Sequence, residues 1–170
     1  MYGTLAYTQL KTEENKNARR VPLMCWDLAH PGLPKQVRIA EDLQALRGLE
    51  QKYRWKTDLN FRELLAENNT LVITDLMRNI QWVSTNFFDL TGYLPQEVIG
   101  QKPTMLQGEK TTAQSRAKIR ECLAELQRVI VNLVNYRKNG EIYHCNIEIL
   151  PLYNTDGVAT HFIAIEKERL

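Results

Sequence analysis

The sequence predicts an α+β fold, in which one antiparallel sheet packs against helices. Segments with strand-like alternation form two groups, at residues 70–84 and 128–168, with short helical segments between them. The pair Asn139-Gly140 separates two of these segments and is a strong local signal for a hairpin turn. Residues 35–56 carry apolar side chains at spacings of three and four, which is typical of an amphipathic helix.

The N-terminal part of the chain, residues 1–69, predicts an arm followed by a helical cap. Residues 1–20 are polar and contain no apolar segment of the kind that directs secretion. Residues 21–34 contain three prolines, which favour an irregular arm. We expect apolar side chains to fix this arm to the fold, namely Val21, Leu23, Met24 and Trp26.

Two helices are predicted within the cap. The first, at residues 35–56, has an apolar stripe formed by Ile39, Leu43, Leu46, Leu49 and Tyr53. The second covers residues 59–67 and follows Asp58, a residue type that caps helix N-termini.

Residues 70–170 predict the main domain. Strands at 71–75 and 80–84 precede short helices and then a longer helix, for which Thr111 and Gln114 have capping-box spacing. Three further strands close the sequence. The predicted architecture is a five-stranded antiparallel sheet with helices on one face and an N-terminal helical cap.

Side-chain alternation gives the last three strands two apolar faces. The set expected to face the helices contains Val129, Val131, Leu133 and Asn135, then Tyr143, Cys145, Ile147 and Ile149, then Val158, Phe162, Ala164 and Glu166. The opposite set contains Ile130, Val134, Tyr136, Ile142, Leu150, Leu152, Ile163 and Ile165. Because a sheet face in water is mostly polar, we expect this second face to be covered. The helix at 35–56, the arm with Trp26 or a second copy of the chain would each cover it.

Composition excludes several classes of function. The chain has 22 basic and 20 acidic residues, a formal net charge of +2, so neither nucleic acid nor a membrane surface is an expected partner. Cys25, Cys122 and Cys145 lack disulfide or zinc spacing, and the three histidines are scattered, so no metal or haem is predicted. No apolar run is long enough to cross a membrane, and a cytoplasmic location is expected.

From about Leu71 to Glu168 the chain resembles a PAS domain. The resemblance lies in LVITD, IQWVSTNFFDLTGY, PQEVIG, NYRKNGEIY and THFIAIEKE, a combination that is specific although each piece alone is weak. It implies a PAS fold, with residues 1–69 as an attached cap. It also implies a sensory role.

Within the PAS family the chain is similar to the flavin-binding blue-light branch, called LOV. The hallmark of that branch is Gly-Arg-Asn-Cys-Arg-Phe-Leu-Gln, and residues 100–107 keep its glycine, leucine and glutamine, the last as Gln107. Pro103 replaces the cysteine that bonds the flavin, and Lys102 replaces the asparagine before it. A proline cannot form that bond, so the sequence predicts no blue-light photochemistry.

The resemblance also identifies three side chains at the flavin's polar edge. Asn135 keeps an asparagine there, whereas Cys145 replaces a second asparagine and Glu166 replaces a glutamine. A thiol donates only weakly and an ionised glutamate only accepts. Two unpaired ligand atoms, at about 1–3 kcal/mol each, weaken flavin binding about a hundredfold. No resident cofactor is therefore expected.

Three candidate pocket residues each have two interpretations. Cys145 is either a redox-sensing thiol or, as we expect, a buried small apolar group. Glu166 either lines the pocket or, as we expect, lies in water at the sheet edge, since charged residues follow it. Asn135 either binds a ligand or ties a strand to a loop.

The sequence therefore predicts a non-catalytic sensory or protein-interaction module in signal transduction. No nucleophile–base pair or phosphate loop is present, so no catalytic residue is assigned. The expected ligand is small and apolar, and its candidate residues are Asn135, Cys145, Gln107, Glu166, Tyr143 and Phe162. The expected partners are a signalling protein and a second copy, bound through the second apolar face and the helix at 35–56. The alternatives are a thiol- or flavin-dependent redox protein using Cys145 with Glu166, and a structural dimerisation module with a filled core.

Overall fold

The computed structural model describes residues 34–169, which form one antiparallel sheet with helices against both of its faces. In chain order, the helices are α1 (Lys35–Tyr53), α2 (Phe61–Ala66), α3 (Phe87–Thr91), α4 (Pro95–Val98), a 3₁₀ helix (Pro103–Leu106) and α5 (Ala113–Ala124). The strands are β1 (Trp55–Lys56), β2 (Thr70–Asp75), β3 (Ile80–Val83), β4 (Val129–Tyr136), β5 (Ile142–Asn154) and β6 (Ala159–Glu168).

The five predicted strands pair in the order β3-β2-β6-β5-β4. Strand β6 is therefore central, between β2 and β5. The hairpin between β4 and β5 closes with Arg137 N donating to Glu141 O at 2.8 Å, so its loop has three residues rather than two. Gly140 has a φ of +86°, which a glycine adopts without steric cost.

A sixth strand, β1, was not predicted. The helix at 35–56 ends at Tyr53 because Arg54 adopts a left-handed conformation, and Trp55 then pairs with Asn154 at the end of β5. Trp55 Nε1 donates to Thr160 Oγ1 at 2.8 Å, and its ring contacts the buried His161 edge-on. This short strand fixes the C-terminal end of α1 to the sheet.

The N-terminal caps of two helices are formed by residues other than the predicted ones. The cap of α2 is Asn60, which accepts from Glu63 N at 3.2 Å, not Asp58. The cap of α5 is Thr112, which accepts from Ser115 N at 3.2 Å. Thr111 is instead buried and donates to Val134 O on β4 at 2.6 Å, so tertiary contacts decide its role.

The cap helices cover one face of the sheet, here called the outer face. Leu43 and Leu46 of α1 and Leu65 of α2 pack against outer-face residues of β2, β5 and β6, namely Leu71, Ile73, Leu152 and Ile163. The predicted cap is thus confirmed as the cover of this face. Coverage stops short of β4, where Ile130 is 47% exposed.

A buried carboxylate joins α1 to the body of the domain. Asp42 is 2% exposed and accepts hydrogen bonds from Thr85 N at 3.0 and 3.1 Å and from Thr85 Oγ1 at 2.9 Å. Arg38, one turn earlier, forms an ion pair with Asp89 of α3 at 2.5 Å. Burial raises the pKa of the Asp42 carboxyl to about 7.

The other helices pack on the inner face of the sheet. Leu90 of α3 and Ile119 of α5 contact β4 and β5, while Val98 of α4 and Leu106 lie with β2 and β3. The predicted inner set is buried, or partly buried at Ile149 and Ala164, with one exception. Val158 lies in the turn before β6 and is 57% exposed.

Several expectations fall outside the described residues. They concern the arm with Val21, Leu23, Met24 and Trp26, and also Cys25. Within residues 34–169, no helix combines the length and apolar character needed to span a bilayer. The same part of the chain brings no three metal-ligating side chains together.

Candidate functional site

A cavity of about 300 Å³ lies between the inner face of the sheet, the 3₁₀ helix and α5. Its wall is mainly apolar, and the apolar side chains are Pro103, Leu106, Ile119, Leu123, Leu133, Ile147, Ile149, Phe162 and Ala164. Four of the six predicted ligand-binding residues line it: Gln107, Asn135, Phe162 and Glu166. The volume is at the lower end of the range for small-molecule sites.

Glu166 lies inside the domain, so the expectation of a solvated sheet edge was wrong. It is 3% exposed, and its neighbours across the sheet are Thr70 on β2 and Ile147 on β5. Its strand is central in the sheet and its side chain faces the helices, which accounts for its burial. Its Oε2 has no hydrogen-bond partner among the described residues, and burial raises its pKa to about 7.

Asn135 ties a strand to a loop, as one of its two interpretations predicts, and it also lines the cavity. Its backbone forms an isolated bridge with Gln107, so it does tie β4 to the loop after the 3₁₀ helix. Its Nδ2 lies 3.5 Å from Tyr143 Oη as a donor. Its Oδ1 is buried and has no partner within residues 34–169, so one acceptor remains for a ligand.

Cys145 and Tyr143 are buried beside the cavity and are not among its lining residues. Burial first, and then Glu166, raise the pKa of the Cys145 thiol, which keeps it protonated and unreactive at neutral pH. The Tyr143 ring packs under the Arg137 guanidinium at 4.7 Å. The structure thus supports the interpretation of Cys145 as a buried apolar group.

Four cationic side chains surround the cavity, and the sequence did not identify them as a group. Lys102 precedes the 3₁₀ helix, Arg116 and Arg120 lie one turn apart on α5, and Arg78 lies in the turn after β2. Arg116 Nη2 donates to Thr111 O at 2.9 Å. In the sequence, only the i, i+4 spacing of Arg116 and Arg120 on α5 indicated that cations lie together. Lys102 and Arg78 come from distant segments, so no local pattern connects them to α5.

The lining residues do not fit a photoactive flavin, the cofactor implied by the resemblance to LOV domains. Pro103 lies in the wall, and none of the described lining residues is a cysteine. The unpaired oxygen of Glu166 is an acceptor, whereas the glutamine that the resemblance implies at this position can donate to the flavin edge as well. No step of flavin chemistry is assigned to these residues.

Comparison with protein families matches residues 68–168 to the family described as PAS domain. The chain is 34% identical over 122 residues to Protein TWIN LOV 1 of Arabidopsis thaliana, which covers 69% of this chain and 31% of that protein. It is 34% identical over 116 residues to a blue-light photoreceptor of Listeria innocua, covering 66% of this chain and 46% of that protein. The chain therefore spans less than half of each of these relatives.

Solved structures show the same fold. A structure reported as "Flavin Analogue Sheds Light on Light-Oxygen-Voltage Domain Mechanism" aligns with a TM-score of 0.61 at 27% identity, covering 66% of this chain and 87% of the other. The LOV domain of the blue-light activated histidine kinase EL346 from Erythrobacter litoralis aligns with a TM-score of 0.56 at 26% identity, covering 59% and 94%.

Proposed function

Since the chain belongs to the PAS domain family, in its LOV-like branch, we propose that it senses a small ligand without blue-light chemistry. It is a sensory module in signal transduction, and the proposal adds that the module is not catalytic. One observation carries this proposal: Pro103, not a cysteine, lines a cavity whose buried polar atoms lack partners. A core with about 300 Å³ of open space also differs from the filled core of a purely structural module.

The purified protein is expected to be colourless and insensitive to blue light. Pro103 cannot form a covalent bond to a flavin, and Cys145 and Glu166, which stand where flavin-binding relatives have an asparagine and a glutamine, weaken non-covalent flavin binding. Absorbance spectra before and after illumination, recorded after gel filtration, measure both properties. Stoichiometric FMN or reversible bleaching of a flavin band would contradict the proposal.

A second copy of the chain is the proposed structural partner. Leu43 and Leu46 of the α1 stripe are already buried against the sheet, as are Leu152 and Ile163, so these residues cannot form the contact predicted from the sequence. The part of the outer face that the cap leaves open is here called the β4 strip; it consists of the exposed Ile130 of β4, the half-buried Val134 of β4 and the exposed Ile142 at the start of β5. Apolar side chains on an uncovered sheet face favour association.

We expect the protein to sediment as a dimer at micromolar concentration and Ile130→Asp to sediment as a monomer. A carboxylate within the β4 strip would have to lose water in the interface. Val158→Asp is the matched control, because Val158 is also exposed, at 57% against 47% for Ile130, but lies in the turn between β5 and β6. A wild-type monomer at high concentration, or a monomeric control variant, would end the assignment to this strip.

We propose that the module acts in the cytoplasm, with the cap as residues 1–69 and the sensory domain as residues 70–170. The position of the cap supports its use as an output element. Besides its apolar packing on the sheet, it is held to the domain by the Asp42–Thr85 contact, the Arg38–Asp89 ion pair and β1, and a partner protein could read changes in these contacts. A signalling protein is the proposed downstream partner.

A further inference from the structure

A buried histidine lies where the end of the cap meets the sheet. His161 of β6 is 5% exposed, and on the outer face its register partners are Asp75 of β2 and Leu152 of β5. The centroid of the Tyr53 ring, at the end of α1, lies 4.1 Å from that of the His161 ring, and the Trp55 ring of β1 lies 5.1 Å away. The last residue of α1 and the first residue of β1 therefore pack on one imidazole.

Protonation of this imidazole would place a charge inside the domain. Its Nδ1 is buried and has no hydrogen-bond partner within the described part of the chain. Burial is the largest influence on the His161 side chain and lowers its pKa. The Asp75 carboxylate of β2 opposes this shift, whereas the Lys52 ammonium of α1 adds to it. Leu152 on β5 carries no charge, and the two aromatic rings above the imidazole are neutral near pH 7, so the neutral imidazole is the form that fits beneath the cap.

The strand that covers His161 is weakly attached. Strand β1 has two residues, and both pair with the end of β5. The Trp55 indole adds one hydrogen bond, from Nε1 to Thr160 Oγ1 at 2.8 Å. Arg54, between α1 and β1, has a φ of +56°, which is strained for a residue with a side chain, and its ion pair with Asp156 is exposed. A short element with few contacts can open locally while the rest of the domain stays folded.

The start of α1 is held by groups that respond to acid differently. Asp42 accepts three hydrogen-bond contacts from Thr85, and Arg38 pairs with Asp89 at 2.5 Å. Burial raises the pKa of Asp42 to about 7, so the contribution of this group is kept at low pH. Burial lowers the pKa of His161, so its contribution is lost as the pH falls through about 6.5, where a released histidine titrates. The two ends of α1 therefore respond to protons in opposite directions.

We propose that His161 is a proton-sensitive latch, whose protonation releases β1 and the C-terminal end of α1 while the start of α1 stays attached. Histidine suits this role because its charge changes near physiological pH. The stimulus is a proton, and the latch lies on the outer face, opposite the cavity, so this inference goes beyond ligand sensing. Failure of the latch and failure of ligand sensing are therefore separate results. Release would expose the Tyr53 and Trp55 rings, which gives a partner protein an apolar surface that is covered at neutral pH.

Hydrogen exchange of the Trp55 indole N–H, followed by NMR in the full chain, tests this inference without any ligand. This N–H donates to Thr160 Oγ1, so it is protected while β1 is in place. Its protection factor, which corrects for the pH dependence of exchange in an unfolded chain, is expected to fall about fivefold or more between roughly pH 7.5 and pH 5.5. The limit is about tenfold, because a released imidazole has a pKa of about 6.5. The backbone amides of Leu43 and Leu46 are expected to keep their protection.

Two histidine variants identify the group that responds. His161→Phe keeps a ring against Tyr53 but cannot take up a proton, so its Trp55 protection is expected to be equal at both pH values. His144→Gln removes an exposed histidine of β5 and is expected to respond as the wild type does. If His161→Phe does not fold, the imidazole titration of the wild type decides, because a His161 pKa of about 6.5 with Trp55 still protected would overturn the inference. A response that persists in His161→Phe, wild-type protection that is independent of pH, or an equal loss at Leu43 would overturn it as well.

Discussion

Replacing Asp42 with alanine is expected to lower the free energy of unfolding by about 3 kcal/mol, enough to detach α1 from the rest of the domain. The Asp42 carboxylate receives three hydrogen-bond contacts from Thr85, and all of these groups are buried. Alanine would leave the backbone N–H and the hydroxyl of Thr85 without an acceptor. Urea denaturation measures the loss, and proteolysis within α1 reports its detachment.

Asp42→Asn is the matched control for this prediction. An asparagine oxygen can accept from Thr85 N, and its amide can donate to the Thr85 hydroxyl, so we expect it to lose less than about 1 kcal/mol at neutral pH. If Asp42→Ala unfolds at the same urea concentration as the wild type, the contact contributes nothing and the cap is held by apolar packing alone.

The pH dependence of stability gives a second measure of the same contact. Burial raises the pKa of folded Asp42 to about 7, from about 3.9 for an unfolded aspartate. The folded state therefore binds a proton more readily than the unfolded state does. This contribution is fully present below about pH 4 and is lost as the pH rises through about 7. Glu166 changes the pH dependence of stability in the same direction, because burial raises its pKa to about 7 as well.

His161 has the opposite effect on the pH dependence of stability. Burial lowers its pKa, so its contribution is lost as the pH falls through the range near 6.5 where an unfolded histidine titrates. Stability curves of the wild type and Asp42→Asn isolate the Asp42 part. The asparagine variant is expected to show a smaller decline between pH 4 and pH 7. Parallel curves over that range would show that Asp42 titrates normally.

Gly108→Ala is expected to lower the free energy of unfolding by about 2 kcal/mol and to disturb the cavity loop. A Cβ atom at Gly108 would lie 2.7 Å from Cδ2 and 2.8 Å from Cζ of the Tyr136 ring, and closer still to Cε2. The ring cannot shift freely, because its hydroxyl accepts from Lys110 N at 3.0 Å. Urea denaturation measures the free energy of unfolding.

A double-mutant cycle tests the cause of this effect. In a Tyr136→Ala background, Gly108→Ala has no ring to meet and should cost less than about 0.5 kcal/mol. Gly48→Ala is a further control, because no atom lies within 4 Å of its added methyl group. There the same substitution is expected to stabilise α1 by about 1 kcal/mol. A cost for Gly108→Ala that persists without the Tyr136 ring would exclude the clash as its cause.

Local sequence pattern determined the main helices and five of the six strands among the described residues, and also their inner and outer faces. Alternation identified β2 to β6, the Asn139-Gly140 pair placed the β4–β5 hairpin, and the apolar stripe of α1 identified the cap. These patterns involve residues only a few positions apart, so they can be recognised without knowledge of the tertiary structure. The same alternation placed Asn135 and Phe162 correctly on the inner face, where they line the cavity.

Only the tertiary structure decided which polar residues are buried and which of them meet. Glu166 looked like a chain-end residue in water, but its strand is central in the sheet, and strand order is a non-local property. Asp42 and Thr85 are 43 residues apart, and nothing in either local segment indicates the contact. The cations of the cavity come from three separate segments. A binding site formed by distant segments has no pattern in the sequence, because its geometry arises only when the sheet and helices pack together.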